Sequence, residues 1–71
     1  MIAIPVDVEE AMAMFHLKEN EFEQAIEAAE NALAQGQTGE QELNTTNEVA
    51  RDLAKLAERI SDLIEEKLES L

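Results

Sequence analysis

The chain has no cysteine, tryptophan or tyrosine, and only one proline and two glycines among its 71 residues. Without cysteine it can form neither a disulfide framework nor a thiolate metal site. No segment approaches the roughly 18 apolar residues of a membrane-spanning helix, and the apolar opening 1–6 lacks the basic start of a secretory signal. We therefore expect one small cytoplasmic domain over residues 1–71, with residues 1–6 as an apolar N-terminal arm.

The residues that are present favour helix. Alanine, glutamate and leucine dominate, while aromatic residues make up only 3% of the chain. These side chains lose little rotamer freedom on a helix, whereas strands favour β-branched and aromatic residues. The composition predicts an all-α protein. A chain this short buries little surface alone, so self-association is the expected source of further burial.

The charge is strongly one-sided, with 17 acidic residues against 5 basic ones and a formal net charge of −12. Such a surface repels phosphates and anionic lipid headgroups. We therefore expect no direct binding to nucleic acid or to a membrane. A basic protein partner is compatible with this charge.

Capping residues predict the helix ends. Asp7 with Glu10 has capping-box spacing, and Gly36 suits a left-handed residue just after a helix. Residues 36–45 contain both glycines and few apolar groups, which predicts a flexible loop. Thr45 with Glu48 repeats the capping spacing. The sequence thus predicts an antiparallel helical hairpin with helices at about 8–35 and 46–70.

Apolar residues recur at alternating steps of three and four in both segments, which predicts one apolar stripe on each helix. In the second segment the repeat from Val49 through Ile60 to Leu71 is close to the natural helical period. From these stripes we predict a core of Phe15, Phe22, Ile26, Leu33, Val49, Leu53, Leu56, Ile60 and Ile64.

Folding the chain at the middle of the predicted loop gives a register. It places Leu33 opposite Val49 and Phe22 near Ile60. The same register opposes three carboxylates to three cations, and the expected use of these pairs is to fix the register, because exposed pairs contribute only about 0 to 1 kcal/mol each. The alternative is that each of these charges simply faces water. The predicted ion-pairing residues are Glu23, Glu27, Glu30, Arg51, Lys55 and Arg59.

More apolar surface is present than one hairpin can cover. Alanines on both segments would allow another helix to approach closely, and large apolar patches on small proteins usually mark interfaces. We therefore predict that two hairpins pair into a four-helix bundle, with a homodimer as the expected state. The predicted interface residues are Met12, Met14, Leu17, Leu63, Leu68 and Leu71.

Residues 20–33, "NEFEQAIEAAENAL", support an alternative. They resemble the second helix of a tetratricopeptide repeat, with a turn residue at Asn20, an aromatic at Phe22, an Ala-Ile pair at 25–26 and an Ala-Leu pair at 32–33. The upstream half matches only at Met12 and Ala13, so the resemblance covers residues 9–33, one repeat. It implies three helices with a break at Asn20.

The sequence offers little for catalysis. The single histidine, His16, has no cysteine to pair with, and neither serine lies in a glycine-rich elbow. Neither glycine belongs to a phosphate-binding loop, and acidic pairs on helices usually form a solvated face. We expect no enzyme activity, no cofactor and no metal.

The remaining function classes are non-enzymatic. We expect a small acidic interaction module, acting as an adaptor, chaperone or inhibitor of another protein through apolar helix faces. One alternative is an acidic mimic of DNA that inhibits a DNA-binding protein, for which the charge is the motivation. The other is a structural subunit of a larger assembly.

Overall fold

The protein folds as an antiparallel pair of helices. The computed structural model describes residues 7–71, so the predicted arm at 1–6 lies outside the described residues. Helix α1 runs over Val8–Ala34 and helix α2 over Glu40–Glu69, and the two pack against each other along their lengths. The prediction of an all-helical hairpin is confirmed.

Helix α1 begins and ends where its capping residues predict. The Asp7 carboxylate accepts a hydrogen bond from the Glu10 amide at 2.7 Å. At the other end Gly36 has a φ of 80°, and the Gln37 amide donates to the Ala32 carbonyl at 3.0 Å. This left-handed turn satisfies carbonyls that the helix end leaves free. The helix continues through Asn20, so the alternative with three helices is wrong.

Helix α2 begins about six residues earlier than expected, at Glu40. Residues 40–45 were predicted as loop because they are polar, but glutamate, glutamine and leucine are good helix formers. The helix starts after Gly39, whose φ is 66°, and acidic side chains in its first turn suit the positive end of the helix dipole. Thr45 is not a cap, since its hydroxyl donates to the Gln41 carbonyl within the helix at 3.1 Å.

The shorter loop changes the register of the hairpin. The Thr46 hydroxyl shares its single proton between the Ala25 carbonyl of the other helix, at 3.1 Å, and the Glu42 carbonyl of its own helix, at 2.8 Å. The Lys18 ammonium lies 3.6 Å from the Asp52 carboxylate. The predicted register would have placed both α2 residues about eleven positions further along. That register is therefore wrong by about three turns, or roughly 16 Å. The predicted pairs of Leu33 with Val49 and Phe22 with Ile60 do not lie opposite each other.

The helices approach through small side chains. Ala11, Lys18, Ala25 and Ala32 recur every seven residues and form one row along α1. Two members of this row contact α2 directly, and the other two are buried. Because alanine carries only a methyl group, the Thr46 hydroxyl can reach the α1 backbone. The neighbouring row of α1 that contains Met12 has larger side chains, and it lies to one side of the helix contact.

The hairpin alone buries almost no large side chain. The buried apolar residues in the described part of the chain are three alanines and Leu63, which is 6% exposed. The radius of gyration is 15.4 Å, against about 11 Å for a compact domain of this length. The two helices therefore form a thin layer without a core of large residues between them.

Candidate interaction surface

A shallow apolar groove runs along one side of the helix pair. Towards the chain ends it is lined by Met12, Phe15, Ala57 and Ile60. Further towards the loop it continues between the α1 pair of Phe22 with Ile26 and Leu53 of α2. Residues seven or four positions along the same helices extend this side at Leu33 and Ile64. We call this surface the open face; its residues are Met12, Phe15, Phe22, Ile26, Leu33, Leu53, Ala57, Ile60 and Ile64.

Most of the predicted core residues lie on the open face rather than in an interior. Leu33 is 50% exposed and Ile64 36% exposed. The other seven predicted core residues are half-buried: Phe15, Phe22, Ile26, Val49, Leu53, Leu56 and Ile60. The stripes were correctly recognised as the apolar sides of both helices, but the helices meet along the edge of the stripes. The large side chains therefore border the helix contact and remain accessible from one side.

The predicted interface residues do not share one surface. Met12 belongs to the open face, whereas Leu63 is buried within the hairpin and is not available as an interface residue. Met14 is half-buried and Leu17 is 69% exposed. By helical phase these two lie away from the open face. Leu68 and Leu71 are exposed near the end of the chain.

The two borders of the open face differ in chemistry. On α1 the border carries His16, Glu19 and Glu23, and the His16 ring nitrogen Nδ1 lies 3.1 Å from the Glu19 carboxylate. Glu30, seven residues after Glu23, extends this border towards the loop. On α2 the border positions are uncharged: Ala50, Ala54 and Ser61 occupy the middle, and the exposed Leu43 and Leu68 lie on the same rows towards the two ends. The open face is thus acidic along one edge and neutral along the other.

Charged groups mark the opposite side of the helix pair. The Lys18 ammonium donates to Glu21 at 2.8 Å and lies 3.6 Å from Asp52 of the other helix. The hydrogen bond that Lys18 donates to Glu21 raises the pKa of Lys18 above its ordinary 10.5; burial lowers this pKa in part, and the Asp52 carboxylate raises it further. This pair crosses the helix contact and therefore helps to set the register. Sequence reasoning missed it, although the row containing Lys18 could have been found from the seven-residue recurrence of alanines.

The ion pairs predicted from the sequence do not form. In the observed register Glu23, Glu27 and Glu30 lie about three turns away from their predicted partners, respectively Arg59, Lys55 and Arg51. The cause is the early start of α2, which moves the basic residues towards the end of the hairpin that is remote from the loop.

Two other kinds of feature are absent from residues 7–71. Within residues 7–71, histidine and carboxylate side chains do not gather into a group of three or more that could hold a metal ion. Neither described helix contains a stretch long and apolar enough to cross a membrane. The open face is the surface feature that combines large apolar side chains from both helices.

Comparison with known proteins gives no relative. No protein-family model, no curated protein and no solved structure matches the chain. The resemblance to a single tetratricopeptide repeat stays a prediction. The class that the fold itself defines is an all-helical hairpin with one uncovered apolar side.

Proposed function

We propose that this chain is a small acidic protein-interaction module that binds through its open face. Two copies cover each other's open faces in a four-helix bundle, and the module serves as an adaptor, chaperone or inhibitor of another protein. The observation that carries the proposal is the position of the large apolar side chains. They border the helix contact, and they are not enclosed by it.

The size of the open face supports a stable interface. Helix α2 has 30 residues and is therefore about 45 Å long, and two packed helices are about 20 Å wide. Covering this face removes on the order of 900 Å² from each chain, or about 1,800 Å² in a pair. Stable, specific interfaces bury about 1,200 to 2,000 Å² in total.

The absence of large buried side chains between the two described helices, Leu63 apart, supports a second copy of the same chain as the partner. A fold whose buried residues are mainly alanines gains little hydrophobic stabilisation, since about 25 cal/mol is gained per Å² of apolar surface buried. A second copy of the same chain supplies the missing burial at the moment of folding. Obligate pairs of this kind have no stable monomer.

The proposal is tested by a polar substitution on the open face. Ile64→Gln changes a residue that is 36% exposed in the hairpin, so the glutamine amide can still reach water there, and circular dichroism at 222 nm checks that the variant stays helical. We expect sedimentation equilibrium to show a dimer for the unchanged chain and a dissociation constant at least tenfold weaker for the variant. Covering Ile64 in the bundle would force the glutamine amide to lose water without a designed partner.

Leu17→Gln is the matched control. Leu17 is 69% exposed and lies away from the open face, so we expect its dissociation constant to stay within about threefold of the unchanged chain, because exposed surface substitutions have small effects. A helical monomer at 100 μM, or equal weakening by both variants, would contradict the proposal.

A capture experiment with the same variants tests the role towards other proteins. A protein partner that uses the open face should be retained by the tagged chain and by Leu17→Gln but lost from Ile64→Gln. Capture that duplex DNA competes away, and that weakens steeply with salt, would instead favour the DNA mimic. Loss of helicity on purification would favour a subunit of a larger assembly.

A further inference from the structure

The unequal borders of the open face bear on how two copies fit together. A two-fold symmetric pair can cover both open faces in two ways. With the axis parallel to the helices, α1 of one copy lies along α2 of the other and both loops are at the same end. With the axis perpendicular to the helices, α1 lies along α1 and α2 along α2, and the loops are at opposite ends.

The second arrangement brings like charges together. The α1 border carries Glu19, Glu23 and Glu30, and α1 against α1 would place two such rows within the 8–10 Å that separates packed helices. Carboxylates at this distance repel each other, and the repulsion is stronger when they are removed from water. The chain has a net charge of −12 and offers few cations to offset it.

The first arrangement avoids this conflict. An axis parallel to the helices keeps every residue at its own height, so the glutamates of the α1 border would lie level with about residues 41–52 of the other copy's α2. The α2 border is uncharged there, at Leu43, Asn47, Ala50 and Ala54. The two alanines leave room for a neighbouring carboxylate to reach water past the edge of the bundle, and they allow the α1 backbone to approach closely, as the alanines of α1 already do for α2 within the hairpin.

We propose that two copies of this chain pair with their loops at the same end, so that α1 of each copy packs along α2 of the other. This inference rests on the proposed function, because it assumes that a second copy covers the open face. The acidic border of α1 and the uncharged border of α2 select this arrangement over its alternative. The bundle is then antiparallel between all neighbouring helices.

Distances between single spin labels test the arrangement. The chain has no cysteine, so one introduced at Thr38, in the loop, or at Glu69, near the end of α2, is unique. With loops at the same end we expect label separations of about 20 to 30 Å between copies at both positions. With loops at opposite ends each separation exceeds about 45 Å, the length of α2.

A mixed sample completes the test. When copies labelled at Thr38 are mixed with copies labelled at Glu69, we expect the mixed pairs to add a separation above about 45 Å to the shorter separations of the two like pairs. A singly labelled sample whose separation exceeds about 45 Å, although sedimentation shows it to be dimeric, overturns the arrangement while leaving the proposed function intact. A chain that sediments as a monomer at the labelling concentration overturns both.

Discussion

Leucine-to-alanine substitutions at three positions separate burial inside the hairpin from burial by a second copy. Leu63 is buried between the helices and is 6% exposed, Leu33 lies on the open face and is 50% exposed, and Leu17 lies away from it and is 69% exposed. The substitution removes the same three carbon atoms at each position. Differences in cost therefore report differences in burial.

The expected costs follow from the exposed fractions. Removing three buried carbons costs about 2.4 kcal/mol at roughly 0.8 kcal/mol each. Leu63→Ala should reach about 2 to 4 kcal/mol, because a cavity adds to the transfer cost. Leu17→Ala should cost about 0.7 kcal/mol. Leu33→Ala should cost about 1.2 kcal/mol in an isolated hairpin but at least 2.4 kcal/mol where a second copy covers it.

Urea unfolding followed by circular dichroism at 222 nm measures these free energies. The measurement is repeated at several protein concentrations, because a dimer is stabilised by mass action and an isolated hairpin is not. A cost for Leu33→Ala near 1.2 kcal/mol at every concentration would refute covering of the open face. A cost for Leu63→Ala no greater than that for Leu17→Ala would refute the packing of the hairpin itself.

Three further predictions concern single interactions. Thr46→Val removes a hydroxyl that donates to the α1 backbone as well as to the Glu42 carbonyl of its own helix, and it should lower the free energy of unfolding by about 0.5 to 1 kcal/mol. Thr45→Val removes only a bond within its own helix, so it measures the cost of the local bond alone and should cost less. Equal costs in urea unfolding would contradict the register. Glu21→Gln should lower the pKa of Lys18 measured by NMR, because the hydrogen bond to Glu21 is the main cause that raises it. Since the pKa of Lys18 is raised in the folded state, the interaction of the charged lysine with Glu21 stabilises the fold fully below about pH 10.5. This stabilisation is lost as the pH rises through the raised pKa. Asp7→Ala should cost about 1 kcal/mol in thermal unfolding while Asp7→Asn retains most of the stability, since asparagine also accepts from the helix amides; an equal loss in both would exclude the cap.

Local signals in the sequence predicted local structure well. The carboxylate of Asp7 and the left-handed Gly36 fix both ends of α1, and each acts through atoms only a few residues away. The start of α2 was harder to predict, because the polar residues 40–45 suit a loop by hydration and a helix by propensity. Helix propensity decides the structure there, since no glycine or proline follows Gly39.

The helix contact required information that apolar periodicity does not contain. A stripe gives the side of a helix that avoids water, but not which edge of the stripe meets the neighbouring helix. Ala25 and Ala32 contribute little hydrophobicity, yet their small size decides the contact because the backbones can approach there. An error of three turns in register was also invisible to the stripe, since eleven residues nearly complete three turns and preserve the phase.

The tight turn at residues 35–39 also bears on the order in which the contacts between the two helices form. Ala32 and Gly39 need to close only a short span of chain, whereas Val8 and Leu63, which line one groove at the far end, must close most of it. Loop-closure entropy rises with the span, so contacts beside the turn are the least costly to form first, and each one shortens the span that the next must close. We therefore expect the two helices to join from the turn outward, and the ends remote from the turn to be the first to separate in local unfolding.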